Sequence, residues 1–154
     1  MKLSSTGEPA RTDRLDYINE RWKQLLRLVE DTELRALKYL TLTNSGGAIA
    51  VLSFMGASES VRNLTGPKIA LGFFIVGIIL TGVLMAKGVH MMDRLLRNWR
   101  NDVKKYFSDE IGWKELIEAD ERRTKPDYTA YVLGYSAFAC FILGSMIGLF
   151  RLLF

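Results

Sequence analysis

Three long stretches of the chain contain no charged residue. They are residues 39–58, 69–86 and 128–150. At about 1.5 Å per residue they form helices of about 30, 27 and 35 Å, close to the roughly 30 Å hydrocarbon core of a bilayer. Apart from the closed β-barrel, a helix is the only structure that pairs all its backbone polar groups in lipid. The pattern therefore predicts three transmembrane helices, which we assign to residues 39–58, 68–92 and 128–150.

The stretch before the first span has a different periodicity. Residues 1–12 are predicted to be a disordered tail, and residues 13–38 an amphipathic helix. Its apolar residues recur at spacings of three and four, with charged residues between them; they are Leu15, Ile18, Trp22, Leu25 and Val29.

The helical pattern also continues beyond the second span, into a basic segment at residues 93–127. We predict one long helix from Pro67 to about Phe107, a break at Ser108, Asp109 and Gly112, and a shorter helix over 113–123. One side of the long helix is apolar, with Leu95, Leu96, Trp99, Val103, Tyr106 and Phe107. Of these, Leu95, Trp99, Val103 and Tyr106 are predicted to pack on the helix at 13–38. Residues 59–67 are predicted to form a short loop. The fold class is all-α, an integral membrane protein with three transmembrane helices and cytosolic amphipathic extensions.

Charge sets the predicted orientation. There are eight Lys and Arg residues up to Lys38 and nine in residues 93–127, against two, Arg62 and Lys68, between the first two spans. The positive-inside rule then puts the N-terminus in the cytosol, and residues 59–67 and 151–154 outside. Residues 1–14 lack a signal-peptide pattern, so the first span is expected to act as the insertion signal. Bacterial pore-type effectors, including those of antiphage defence, share this general format, and by that analogy we expect a bacterial inner membrane.

The first span is unusually polar. Thr41, Asn44 and Ser45 share one helical face, whereas small residues occupy roughly the opposite one, among them Gly46, Gly47 and Ala50. Two interpretations stay open. The polar face could line an aqueous path at membrane depth, or the span could pack tightly with an interhelical hydrogen bond from Asn44.

The third span carries a ladder of small residues at every fourth position. Its members are Ser136, Cys140, Gly144 and Gly148. This spacing lets helix backbones approach closely, so we interpret the ladder, together with the small face of the first span, as helix-packing surface.

The cations of the 93–127 segment form a basic face. They are Arg94, Arg97, Arg100, Lys104 and Lys105. The face could contact anionic lipid headgroups, bind nucleic acid, or serve only as the positive-inside determinant. Nucleic acid is disfavoured because the aromatic residues lie on the opposite side of the helix.

No catalytic motif is present, so we expect a protein that is not an enzyme and binds no cofactor. Cys140 is the single cysteine and His90 the single histidine. Such a chain gives little support to a metal site or an intramembrane proton relay.

In a single copy of the chain, the polar and small-residue faces of the spans would lie against lipid, which offers them neither hydrogen-bond partners nor close helix packing. The leading hypothesis is a small homo-oligomeric channel or membrane-permeabilising pore, with Thr41, Asn44 and Ser45 toward its axis and the cytosolic helices as the gate. Its expected partners are the bilayer, including anionic lipids, and further copies of itself. The first alternative is a non-catalytic scaffold or accessory subunit that binds other membrane proteins. A weaker one is a small transporter.

Overall fold

The computed structural model describes residues 6–123 and 127–153, without the side chains of residues 28–33 and 151–153. All regular secondary structure in these ranges is helical. The five helices are α1 (Glu8–Ala57), α2 (Glu59–Asn63), α3 (Thr65–Phe107), α4 (Trp113–Arg123) and α5 (Tyr128–Leu153). Predictions that concern residues 1–5, the Val29 side chain and residue 154 lie outside the described residues.

Helix α1 is longer than the sequence predicts. It begins at Glu8, so the predicted tail at 1–12 is too long by five residues, and it continues without a break into the first span. Pro9 stands in its first turn, where a missing backbone N–H breaks no hydrogen bond. Two further boundaries differ. The predicted loop at 59–67 contains the short helix α2, and α5 runs three residues past 150 to Leu153.

The end of α3 lies where the sequence predicts it. Asp109 has a φ of 55°, its N–H donates to Tyr106 O at 3.1 Å, and the N–H of Glu110 donates to Lys105 O at 2.9 Å. These two bonds form a Schellman motif with Asp109 in the left-handed position. Gly112 then caps α4, and Glu115 Oε2 accepts from the N–H of Gly112 at 2.7 Å.

Three helices contain a stretch long and apolar enough to cross a membrane, within the described residues. These stretches are Leu34–Ala57 in α1, a part of α3, and the apolar part of α5. By length and composition the protein is an all-α membrane protein, as the hydropathy pattern predicts.

The chain divides into two compact units. The first, here called the polar unit, comprises the described part of 1–33 together with Val89–Asp127. Its core joins α1, α3 and α4 through Ile18, Leu25, Trp99, Tyr106 and Leu116. The predicted packing of the apolar stripes of α1 and α3 is confirmed at these positions. One predicted member differs, because Trp22 is 37% exposed.

The second, here called the apolar unit, comprises Leu34–Gly88 and the described part of 128–154. Its buried cluster is small and consists of Ala48, Ala70 and Phe74. Partly buried residues of all three long helices surround it: Val51, Leu71, Ile78, Phe141 and Ile147. Most of the remaining apolar side chains are exposed, as expected for helices that face lipid tails.

Candidate functional site

Asn44 of α1 is completely buried inside the apolar unit. Its Nδ2 donates to Leu40 O at 2.9 Å within α1 and to Ala137 O of α5 at 3.5 Å. The second contact is long, but it joins two helices in a region where no water competes. The carboxamide therefore links α1 to α5 within one chain.

The carboxamide oxygen of Asn44 faces α3. A Cβ built on Gly77 would overlap this oxygen, so Oδ1 lies in the space that any side chain at position 77 would need. Oδ1 has no hydrogen-bond partner among the described residues. Because a Cβ replaces one α-hydrogen of glycine, the oxygen is directed at a Cα–H of Gly77, the geometry of the weak interhelical Cα–H···O contact.

Phe74 lies between two glycines of the neighbouring helices. It is 3% exposed. A Cβ on Gly47 of α1 would come within 2.5 Å of Phe74 Cζ, and a Cβ on Gly144 of α5 within 3.1 Å of the same atom. We call Asn44, Gly47, Phe74, Gly77 and Gly144 the interhelical junction. It holds the three long helices together by close approach, without a charged group.

The junction bears on the two interpretations of the polar first span. Asn44 packs inside a single chain and makes an interhelical hydrogen bond, which is the arrangement that the helix-packing interpretation describes. In this arrangement its side chain does not face outward from the chain. Of its two predicted companions, Thr41 is exposed and Ser45 half-buried. Their place in a pore stays a prediction.

The predicted helix-packing residues divide into two groups. Gly47 and Gly144 contact Phe74 of α3, and Ser136, Cys140 and Gly148 are partly buried on α5. At Gly144 the α5 ladder therefore serves packing within the chain. Gly46 and Ala50 are exposed, and a Cβ on Gly46 would meet no atom within 4 Å.

The exposed small residues of α1 form one continuous surface, which we call the outer face of α1. It lies opposite Asn44 at about 100° per residue and consists of Gly46, Ala50, Ser53 and Ala57, all exposed. Leu42 and Ile49 border it on one side and Phe54 on the other. The exposed surfaces of α3 and α5 instead carry larger apolar residues, among them Ile75, Val76, Ile79, Ile142, Leu143 and Met146.

The predicted basic face lies on α3 in the polar unit. Its five members are exposed: Arg94, Arg97, Arg100, Lys104 and Lys105. Arg97 pairs with Asp93 one turn earlier, at 2.5 Å. The aromatic residues Trp99 and Tyr106 are buried on the opposite side of α3, as predicted.

Two ion pairs of the polar unit were not predicted. Arg21 Nε donates to Asp120 Oδ2 at 2.8 Å, joining α1 to α4, and Arg123 pairs with Asp102, joining α4 to α3. Both aspartates are buried. A sequence signal for them exists, because each lies inside the apolar arc of its helix, where an acid needs a partner.

Arg14 attaches the start of α1 to the same core. Its Nη1 donates to Tyr106 OH at 3.1 Å, and its guanidinium lies 5.3 Å from the centre of the Trp113 ring. The contact is of the cation–π type. It gives α1 a second polar attachment, to α3 and α4 together.

No group of three or more His, Cys, Asp and Glu side chains that could hold a metal ion occurs in the described residues. Comparison with protein-family models, with curated proteins and with solved structures finds no match for this chain.

Proposed function

We propose that the protein is a homo-oligomer that forms a channel or membrane-permeabilising pore in a bacterial inner membrane. In this proposal protomers meet through the outer face of α1. The observation that carries it is the contrast between this face and the rest of the apolar unit. On α1 the small residues form one continuous exposed face, whereas the small residues exposed on α3 and α5, such as Gly72 and Gly82, lie among larger exposed apolar side chains.

Acyl chains give no hydrophobic drive for helix association, so close helix packing depends on small residues that let backbones approach. Gly46 and Ala50 are spaced four apart, and Ser53 and Ala57 continue the same face. The borders formed by Leu42, Ile49 and Phe54 would pack around a neighbouring helix.

The residues that we propose to line the pore differ from those that the sequence suggests. With Asn44 occupied inside the chain, the groups available for a polar path are Thr41 and Ser45 at one edge of α1. Cyclic symmetry would bring one such helix from each protomer to the axis. The path would then be lined by hydroxyl groups and backbone carbonyls, without a charged residue.

The polar unit is the proposed gate. Helices α1 and α3 are each continuous, and each contributes residues to both units. In the polar unit, α4 is attached to α1 and to α3 by one ion pair each. A signal that displaces α4 would act on both helices, and neither helix has a loop between its part in the polar unit and its part in the apolar unit.

The experiment is flux of a small dye or of ions through liposomes that contain the purified protein. Gly46→Leu places a bulky side chain on the outer face of α1 and is expected to abolish both the flux and the oligomer. Gly72→Leu is the matched control, because Gly72 of α3 is also exposed with no atom within 4 Å of its Cβ position. Absence of flux from the wild-type protein, or equal loss in the two variants, would refute the proposal.

A second candidate is a non-catalytic accessory subunit that binds another membrane protein through the same face. It is favoured by the interhelical junction, since Asn44 finds its partners inside one chain and a protomer needs no second copy to bury it. The mass of the detergent-solubilised particle separates the two. A defined ring favours the pore, and a monomer that recovers a stoichiometric partner favours the subunit.

A further inference from the structure

A shallow groove of about 670 Å³ runs along the last turns of α3 in the polar unit. Three cations line it: Arg97, Arg100 and Lys104. Positions 97, 100 and 104 follow at spacings of three and four, so the three side chains share one side of the helix. Asn101 and Ser108 add neutral hydrogen-bonding groups on the same side.

The positive charge in the groove is only partly compensated. Arg97 pairs with Asp93 at 2.5 Å, but Arg100 and Lys104 form no ion pair with any residue that the structure describes. Asp102 is nearby in sequence and pairs with Arg123. Two exposed cations one helical turn apart are thus available to an anion.

An apolar strip borders these cations. Val103 is partly buried, and Phe107 is 47% exposed. Its ring lies 6.1 Å from that of Tyr106, at an interplanar angle of 50°. A ligand that carries both an anionic group and a planar or apolar part could bind the cations with the first and pack against the apolar strip with the second.

We infer that this groove binds a phosphate ester, with the phosphate oxygens at Arg100 and Lys104 and the organic part against Phe107. The same chemistry could come from a lipid headgroup or from a soluble molecule. Arg100 follows Lys87, the first cation after the uncharged stretch 69–86, by thirteen residues. This is about 20 Å of helix, more than twice the roughly 8 Å Debye length at physiological salt. The spacing favours the soluble phosphate ester. The inference does not depend on whether the protein forms a pore.

The test measures binding of ATP and of inorganic pyrophosphate, without divalent metal ions, to the full-length protein in phosphatidylcholine nanodiscs. The double variant Arg100→Gln/Lys104→Gln is expected to weaken both ligands by about twentyfold, at roughly fivefold for each cation removed. The matched control is Arg94→Gln/Lys105→Gln. It removes the same charge from exposed positions of the same helix that do not line the groove.

Phe107→Leu tests the apolar strip. It is expected to weaken ATP about fivefold and to leave pyrophosphate unchanged, because only ATP has a base that can stack on the ring. A second arm measures how much phosphatidylglycerol the solubilised protein retains. If only the Arg100→Gln/Lys104→Gln variant loses binding of ATP and pyrophosphate, the result supports a soluble ligand. If only that variant retains less phosphatidylglycerol, the result supports a lipid headgroup at the same site. Equal loss in the two double variants, or no binding of any of the three probes, would overturn the inference.

Discussion

The carboxamide oxygen of Asn44 occupies the space that a side chain at position 77 would need, so α1 and α3 approach each other closely where α3 has a glycine. Asn44 is completely buried there and also reaches α5. One residue thus contacts both other long helices of the apolar unit. Any residue other than glycine at position 77 requires movement of the Asn44 side chain or of its helix.

Gly77→Ala is therefore expected to lower the free energy of unfolding by about 1–3 kcal/mol, the usual cost of overpacking a tight contact. Gly82→Ala on the same helix is the control, since Gly82 is exposed and its Cβ position is open. Alanine there should be neutral or slightly stabilising, because it favours the helix more than glycine does. Equilibrium unfolding in mixed micelles, followed by circular dichroism, would show the difference. Equal stability of the two variants would contradict the described contact.

Asp120→Asn should destabilise the polar unit by about 1–3 kcal/mol, because it removes the charged partner of a partly buried arginine. The side chains of Arg21 and Asp120 are only 17% and 7% exposed. Glu20→Gln is the matched control, as the Glu20–Lys23 pair is 64% and 60% exposed and such pairs contribute little. Thermal unfolding of the full-length protein would compare the two. A cost for Glu20→Gln as large as that for Asp120→Asn would contradict the expected role of burial.

Asp109→Val should lower stability by about 1 kcal/mol or more, because a β-branched residue is strained at the φ of 55° found there. Asp109→Gly removes the same carboxylate but adopts this conformation readily, so it is the control for loss of the charge. We expect the glycine variant to be the more stable of the two by thermal unfolding. The reverse order would mean that α3 does not end in a Schellman motif.

The proposed orientation can be measured with a reagent that does not cross the membrane. In a Cys140→Ser background, Ser60→Cys should react with an impermeant maleimide added to the outside of intact cells, whereas Asn101→Cys should react only after the cells are permeabilised. Both positions are exposed. Labelling of Asn101→Cys in intact cells, with Ser60→Cys labelled only after permeabilisation, would contradict the proposed orientation of the charged segments.

The periodicity of apolar residues predicts the helices of this chain well, because the change from charged to uncharged sequence is sharp. It also identifies the stripe of α1 that packs through Ile18 and Leu25, and the break at Asp109. Local sequence offers no comparable signal at the start of α1, where Pro9 suggests a boundary but is accommodated in the first turn.

The interhelical junction was predictable only in part. Asn44 stood out as a polar residue in an apolar span, but its direction depends on Gly77 and Ala137, which are distant in sequence. Phe74 gave no signal, since an aromatic residue among apolar ones has no contrast. Asp102 and Asp120 could have been found, because an acid inside an apolar arc implies a buried partner.

The absence of any loop within α1 makes the number of residues between its buried positions a constraint in itself. Ile18 and Leu25 belong to one core, and the backbone between them is helical throughout. Inserting a single alanine after Trp22 would turn Ile18 by about 100° relative to Leu25. An indel that an ordinary connecting segment would tolerate should here move one of the two side chains out of the core, whichever amino acid is added.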